Sequence, residues 1–115
     1  MLRGVRGAIT VKENSKPEII AGTKELLSEI VNCNSINLGD IASVIFTVTH
    51  DLNAEFPAVA ARELGWKHTP LICTNEINVP GSLGKCIRVL LHFNSEKEQK
   101  DITSVYLNDA KNLRR

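Results

Sequence analysis

The sequence predicts an α+β domain: a mixed β-sheet of about five strands with one long and one short helix. Three observations lead there. The run Lys85-Cys86-Ile87-Arg88-Val89-Leu90-Leu91-His92-Phe93 is almost continuously apolar, rich in β-branched and large residues, and follows a glycine-containing turn at Pro80–Gly84. A second such run, Ile41–Thr49, is apolar on both faces and so reads as an internal strand. Between Ile19 and Val31 the apolar residues recur instead at three- and four-residue spacing, the period of an amphipathic helix. With 115 residues the chain forms one domain, residues 1–115, large enough for a core and small enough to gain from self-association.

The elements follow in order. Leu2–Lys12 reads as a first strand, in which Gly4 and Gly7 weaken the core pattern and allow another chain or a ligand to come close. Arg3 and Arg6 fall on opposite faces of that strand, so at most one simply faces solvent from a one-sided sheet. Ser15-x-x-Glu18 is a capping box with Pro17 in the first turn, and the helix it opens fades near Asn32–Asn34. After the Ile41–Thr49 strand and a polar turn at Asp51–Glu55, the segment Phe56–Gly65 is a short helix, with Pro57 at its start and Gly65 at its stop. Phe56 and Arg62 either border a pocket or serve as a hydrophobic staple and a solvated helix charge. Thr69–Thr74 is a third strand, beginning at Pro70, and Glu76 follows it directly. If this strand and the Arg88 strand lie near each other, Glu76 and Arg88 face one cavity. Beyond a polar break at Asn94–Lys100, Ile102–Leu107 holds Tyr106 in either a short fifth strand or a helical turn.

Composition excludes several classes of function. The 14 basic and 13 acidic residues are spread along the chain, without the basic footprint of a nucleic-acid binder. Trp66 and Tyr106 are single and the three phenylalanines are scattered, so there is no platform for stacking bases. No window approaches the roughly 18 apolar residues that span a membrane, and Met1-Leu2-Arg3-Gly4 lacks the apolar run of a signal peptide. Cys33, Cys73 and Cys86 are odd in number and contain no CxxC pair, which points to reduced thiols in a cytoplasm rather than disulfides or zinc. His50, His68 and His92 stand apart, without metal-ligand spacing, so no metal is expected.

Arg88 is the residue this pattern leaves unexplained. A guanidinium within an apolar run is costly to bury unless paired. Strand alternation places Arg88, Leu90 and His92 on one face, so one reading sends Arg88 to solvent. The other reading gathers it with a second arginine, a carboxylate and a tyrosine from elsewhere in the chain.

Four segments in common order carry a resemblance over nearly the whole chain: RGVRGAITV (Arg3–Val11), AEFPAVAARELGW (Ala54–Trp66), PLICTNEINVPGSLGKCIRVL (Pro70–Leu90), and VYL with LR (Val105–Leu107, Leu113–Arg114). Together they resemble the small monofunctional chorismate mutases, which form trimers with a pseudo-α/β-barrel and place active sites between subunits. The resemblance implies the rearrangement of chorismate to prephenate in the shikimate pathway to phenylalanine and tyrosine, with no cofactor. It assigns Arg88 to the ether oxygen and a substrate carboxylate, Arg6 to a carboxylate, Glu76 to the ring hydroxyl, and Tyr106 to a carboxylate. Phe56, Ala58, Arg62, Cys73 and Thr74 match positions that line the pocket, Cys73 as a polar wall residue and not a nucleophile. Leu113 and Arg114 match a tail that helps close it.

Two departures stand out. Val59 occupies a position where members commonly carry lysine, which puts one cationic rim contact in doubt. The chain also ends at Arg115, short of the family's longer tail, so closure beyond Arg114 is not expected and a raised KM is. Two other readings compete. One is a reactive-imine deaminase of related trimeric fold, which also grips a carboxylate with an arginine between subunits. The other is a non-catalytic, carboxylate-binding trimer.

Overall fold

The computed structural model describes residues 1–113. Five strands form one mixed sheet: β1 (Leu2–Thr10), β2 (Ile41–Val48), β3 (Leu71–Asn75), β4 (Cys86–Asn94) and β5 (Val105–Leu107), in the spatial order β3-β2-β4-β1-β5. The central strand is β4, the one that carries Arg88. Both β1 and β2 run antiparallel to it, while β3 lies parallel to β2 and β5 parallel to β1. Helix α1 (Lys16–Asn34) links β1 to β2, and helix α2 (Ala58–Glu63) links β2 to β3. Tyr106 therefore sits on a strand rather than a helical turn, because Gly7–Ile9 offer β5 a parallel edge to pair with.

Helix α1 starts where the capping pattern places it. The Ser15 hydroxyl accepts from the Glu18 N–H at 3.3 Å. The returning half of the box goes elsewhere: Glu18 Oε1 accepts from the Lys12 N–H at 3.2 Å, tying the end of the first strand to the helix. At the other end the chain turns through Ser35 in a left-handed conformation, φ 52°. Just before it, the buried Asn34 side chain binds the backbone of Thr103 through both its amide nitrogen (3.0 Å) and its oxygen (2.7 Å). That pair of bonds fixes the approach to β5.

Both helices lie on one face of the sheet. Ile19, Leu26, Leu27 and Ile30 of α1 are fully buried with Val5 and Ile9 of β1, Phe46 of β2, and Ile87, Leu91 and Phe93 of β4. Gly7 belongs to this face. A Cβ there would meet Ile30 Cδ1 at 2.7 Å, Leu26 Cδ1 at 3.1 Å and the Val105 carbonyl at 3.1 Å. The close approach that this glycine permits is thus by the chain's own helix, not by another chain or a ligand, as strand composition alone suggested.

The opposite face carries a different population: Gly4, Arg6 and Ala8 of β1, Arg88, Leu90 and His92 of β4, Ser43, Ile45 and Thr47 of β2, Ile72 and Thr74 of β3, and Tyr106 of β5. At one end of it the 3-10 turn Asn108–Leu113 packs down, so that Ala110, Leu113, Leu83 and Tyr106 enclose Ala8 and Cys86 in a second small apolar cluster. Along its middle this face remains half-exposed, and Ile72 is 60% exposed.

Candidate active site

The strand registers align the central polar residues in one row. Thr74 pairs with Thr47, Thr47 with Arg88, Arg88 with Ala8, and Ala8 with Tyr106, so all five point from the same face across the full width of the sheet. Neighbouring strands lie about 4.8 Å apart, which places the backbones of Arg88 and Tyr106 roughly 10 Å from each other with only the small Ala8 between. Arg6 is one pleat along β1 from Ala8, opposite Leu90, and is exposed.

Glu76 joins the row from just beyond β3. Its N–H continues the ladder by donating to the Val48 carbonyl at 2.8 Å. Its carboxylate Oε1 accepts from the Thr47 hydroxyl at 2.6 Å and stands 3.9 Å from Arg88 Nε. Arg88 Nε is shielded from solvent and has no hydrogen-bond partner among the described residues. A buried guanidinium N–H without an acceptor is unusual, since such groups are nearly always satisfied. The arrangement can therefore offer a fixed positive donor to an incoming oxygen.

The turn that delivers β4 is held by Asp51. Its two carboxylate oxygens accept from the Lys85 N–H at 3.0 and 2.9 Å, and Oδ1 also accepts from the Thr49 hydroxyl at 2.5 Å. Thr49 Oγ1 in turn accepts from the Cys86 N–H at 3.0 Å. These bonds hold Lys85 at φ 48°, in the left-handed region, immediately before the Arg88 strand. Partial burial pushes the Asp51 carboxyl up, but the Thr49 hydroxyl, the Lys85 and Asp51 N–H groups and the Lys85 charge outweigh it, leaving the group below its ordinary value. Burial pushes the Cys86 thiol up, against the opposing pull of the Arg88 guanidinium, and Glu76 and Asp51 reinforce the rise.

A family model described as "Chorismate mutase type I" matches residues 2–115. The chain belongs to that family. Among curated relatives, the chorismate mutase AroH of Thermus thermophilus is 46% identical over 115 residues, covering 99% of this chain and 94% of the relative. The chorismate mutase AroH of Bacillus subtilis (strain 168) is 42% identical over 115 residues, covering 99% of this chain and 91% of the relative. A solved chorismate mutase from Clostridium thermocellum is 56% identical and superposes with a TM-score of 0.93, covering 94% of this chain and 96% of that one. The mixed sheet with its two helices is thus the type I chorismate mutase fold.

Within this chorismate mutase chain the sequence-derived residues separate into two groups. Arg6, Thr74, Glu76, Arg88 and Tyr106 share the open face, and Leu113 packs beside Tyr106. Cys73 points the other way, because it alternates with Thr74; it packs against the core near α2, where burial pushes its thiol up and the Ala58 N–H partly offsets this. Ala58 opens α2, Phe56 precedes it with 67% of its surface exposed, and the exposed Arg62 donates through Nη1 to the Trp66 carbonyl just beyond that helix. Thr74 and Cys73 are neighbours on the edge strand β3, which therefore carries one member of each group on opposite faces. Val59 is half-buried on α2. Arg114 lies outside the described residues.

Sequence reasoning passed over Thr47 and Asp51. Thr47 is a hydroxyl inside a largely apolar strand, and that was the signal available; only the register with Arg88 gives it meaning. Asp51 looked like an ordinary turn residue. The described residues contain no cluster of three or more His, Cys, Asp or Glu side chains able to hold a metal, and no helix is long and apolar enough to cross a membrane.

Proposed function

We propose that this chain converts chorismate to prephenate on the open face of its sheet, in sites completed by neighbouring copies in a homotrimer. The reaction is a [3,3] shift: the ether C–O bond breaks as a new C–C bond forms within the same molecule. It needs no nucleophile, proton transfer or cofactor. What a protein can contribute is to hold a flexible dianion in its compact reactive conformer and to stabilise negative charge growing on the ether oxygen.

The observation that carries the reading is the shielded, unpartnered Nε of Arg88, fixed on the central strand beside a carboxylate that does not close on it. Arg88 is assigned to the ether oxygen and a substrate carboxylate. Arginine suits both, since its charge is permanent and its planar fork spans two oxygens. Arg6 and Tyr106 bind substrate carboxylate, and Glu76 accepts from the ring hydroxyl. Thr74 lies in the same row as Arg88 and lines the site with it. Leu113, packed with Tyr106 on the Ala8, Cys86 and Ala110 cluster, is assigned with Arg114 to closing the site.

The division of the residue set favours the trimer. Phe56, Ala58 and Arg62 lie on or just before α2, and Cys73 lies on the face of β3 opposite Thr74, so one copy's α2 side is assigned to complete the pocket of the next. The exposed Ile72 on β3 and the half-exposed Ile45 and Leu90 beside it provide apolar surface for that contact. A cytoplasmic location is part of this reading, supported by three cysteines that are odd in number and contain no CxxC pair. Incubating the purified protein with chorismate and following loss of substrate absorbance, with no metal, nucleotide or redox cofactor added, tests the reading. Prephenate formation is the expected result. An intact trimer that binds chorismate without turnover would sink the catalytic assignment.

A further inference from the structure

We infer that Thr47 is a positioning residue for the reaction: its hydroxyl holds the Glu76 carboxylate away from Arg88, so that both remain open to substrate. The inference rests on the chorismate mutase reading above. Thr47 Oγ1 donates to Glu76 Oε1 at 2.6 Å, and that same oxygen is the one 3.9 Å from Arg88 Nε. A carboxylate and a guanidinium this close attract each other, and an unrestrained pair settles at about 2.7–2.9 Å. Here the pair stops short. Strand β2 restrains Glu76 at two points, through the Thr47 hydroxyl on the side chain and through the Val48 carbonyl on the backbone at 2.8 Å. Thr47 also pairs directly with Arg88 across the ladder, which fixes its height relative to the guanidinium. Its β-branched side chain has few rotamers, so the hydroxyl direction is set by the strand.

The consequence concerns two groups at once. Were Glu76 to close on Nε, Arg88 would spend its shielded donor on a protein carboxylate, and Glu76 would lose the oxygen nearest the row. Catalysis and binding would both suffer, because the donor meant for the ether oxygen and the acceptor meant for the ring hydroxyl would satisfy each other. Thr47 prevents this with one short hydrogen bond.

Thr47→Val tests the inference, since valine keeps the branched shape and removes the donor. The expected result is a fall in kcat of about 10-fold to 100-fold together with a raised KM, at a melting temperature close to wild type. Thr47→Ser, which restores the hydroxyl, should recover most of the rate. In a Glu76→Ala background, Thr47→Val should add no further loss, because there is no carboxylate left to hold. A crystal structure of unliganded Thr47→Val should show Arg88 Nε and Glu76 Oε1 within about 3.2 Å. Closure without loss of rate, or loss of rate without closure, overturns the inference, as does a loss that persists fully without Glu76. If the wild-type protein itself fails to turn over chorismate, the functional reading falls. The separation in Thr47→Val then still decides whether Thr47 holds the pair apart.

Discussion

Arg88 Nε and Glu76 Oε1 face each other across 3.9 Å, and that same carboxylate oxygen accepts from the Thr47 hydroxyl at 2.6 Å. The two side chains are 35% and 28% exposed, so their mutual attraction is partly screened. An ion pair in such a setting contributes about 0–1 kcal/mol to stability. The fold does not depend on it. Its significance is that a cation is held ready, with its shielded N–H uncommitted, in the middle of the central strand.

Arg88→Lys should therefore damage rate and leave the fold alone. A point-charge ammonium cannot reproduce a planar fork that spans two oxygens. Losing one preorganised donor costs about 3–4 kcal/mol of transition-state stabilisation, or roughly 10²–10³ in kcat. Most of the loss should fall on kcat if Arg6 and Tyr106 bind the substrate carboxylates as proposed, since ground-state binding would then survive. Citrulline at position 88 keeps the shape and most donors but not the charge, and should also lose orders of magnitude. Steady-state kinetics beside thermal melts decide the matter: near-normal kcat in Arg88→Lys, or a loss that tracks unfolding, makes Arg88 structural.

Arg62 on α2 and Arg88 on β4 belong to the two different groups, which makes subunit complementation a direct test of the trimer. Arg62→Ala and Arg88→Ala homotrimers should each be nearly inactive. Unfolding and refolding an equal mixture should restore roughly a quarter of wild-type activity, because that fraction of random interfaces pairs an intact Arg62 with an intact Arg88 from different copies. No recovery in mixed trimers, confirmed by mass, would place each whole site within one chain.

Gly7→Ala should destabilise the protein without touching the site face. The added methyl would sit 2.7 Å from Ile30 Cδ1 and 3.1 Å from the Val105 carbonyl, between a fully buried helix side chain and an immobile backbone oxygen. Overpacking of this kind costs about 1–3 kcal/mol, read as a fall of several degrees in melting temperature for a domain this size. Unchanged stability would mean that α1 can shift away from β1 freely.

Asp51 contributes to stability on the acid side. Its folded pKa is lowered from the ordinary value of 3.8, so its charged form stabilises the fold fully above that value. As pH falls through the folded pKa, that contribution is lost. Asp51→Asn should be less stable than wild type at neutral pH, and the gap should narrow as pH drops below 3.8. Denaturant titrations across that range give the answer; a gap that widens on acidification contradicts the sign.

The local elements were legible because each has a local cause. The capping box at Ser15 and Glu18, the three- and four-residue spacing of the α1 core residues, and the apolar runs of β2 and β4 depend only on neighbours along the chain. Tyr106 stayed ambiguous between strand and turn because three residues form a strand only when another strand offers its edge, and β1 does. Gly7 was misread for a related reason. A missing side chain signals a close approach, but the identity of what approaches is a tertiary fact, and here it is Ile30.

The residue types of the site were visible in the sequence by themselves: two arginines on strands, a carboxylate after β3 and a tyrosine near the end. Their common face was not, because it depends on the registers of β1 against β4 and β5, and of β2 against β3 and β4. Slipping any of these by one residue would turn its side chains to the other face. Thr47 shows the same limit most clearly. A threonine in an apolar strand has no evident task until folding sets it opposite Arg88 and within 2.6 Å of Glu76, residues 41 and 29 positions away along the chain.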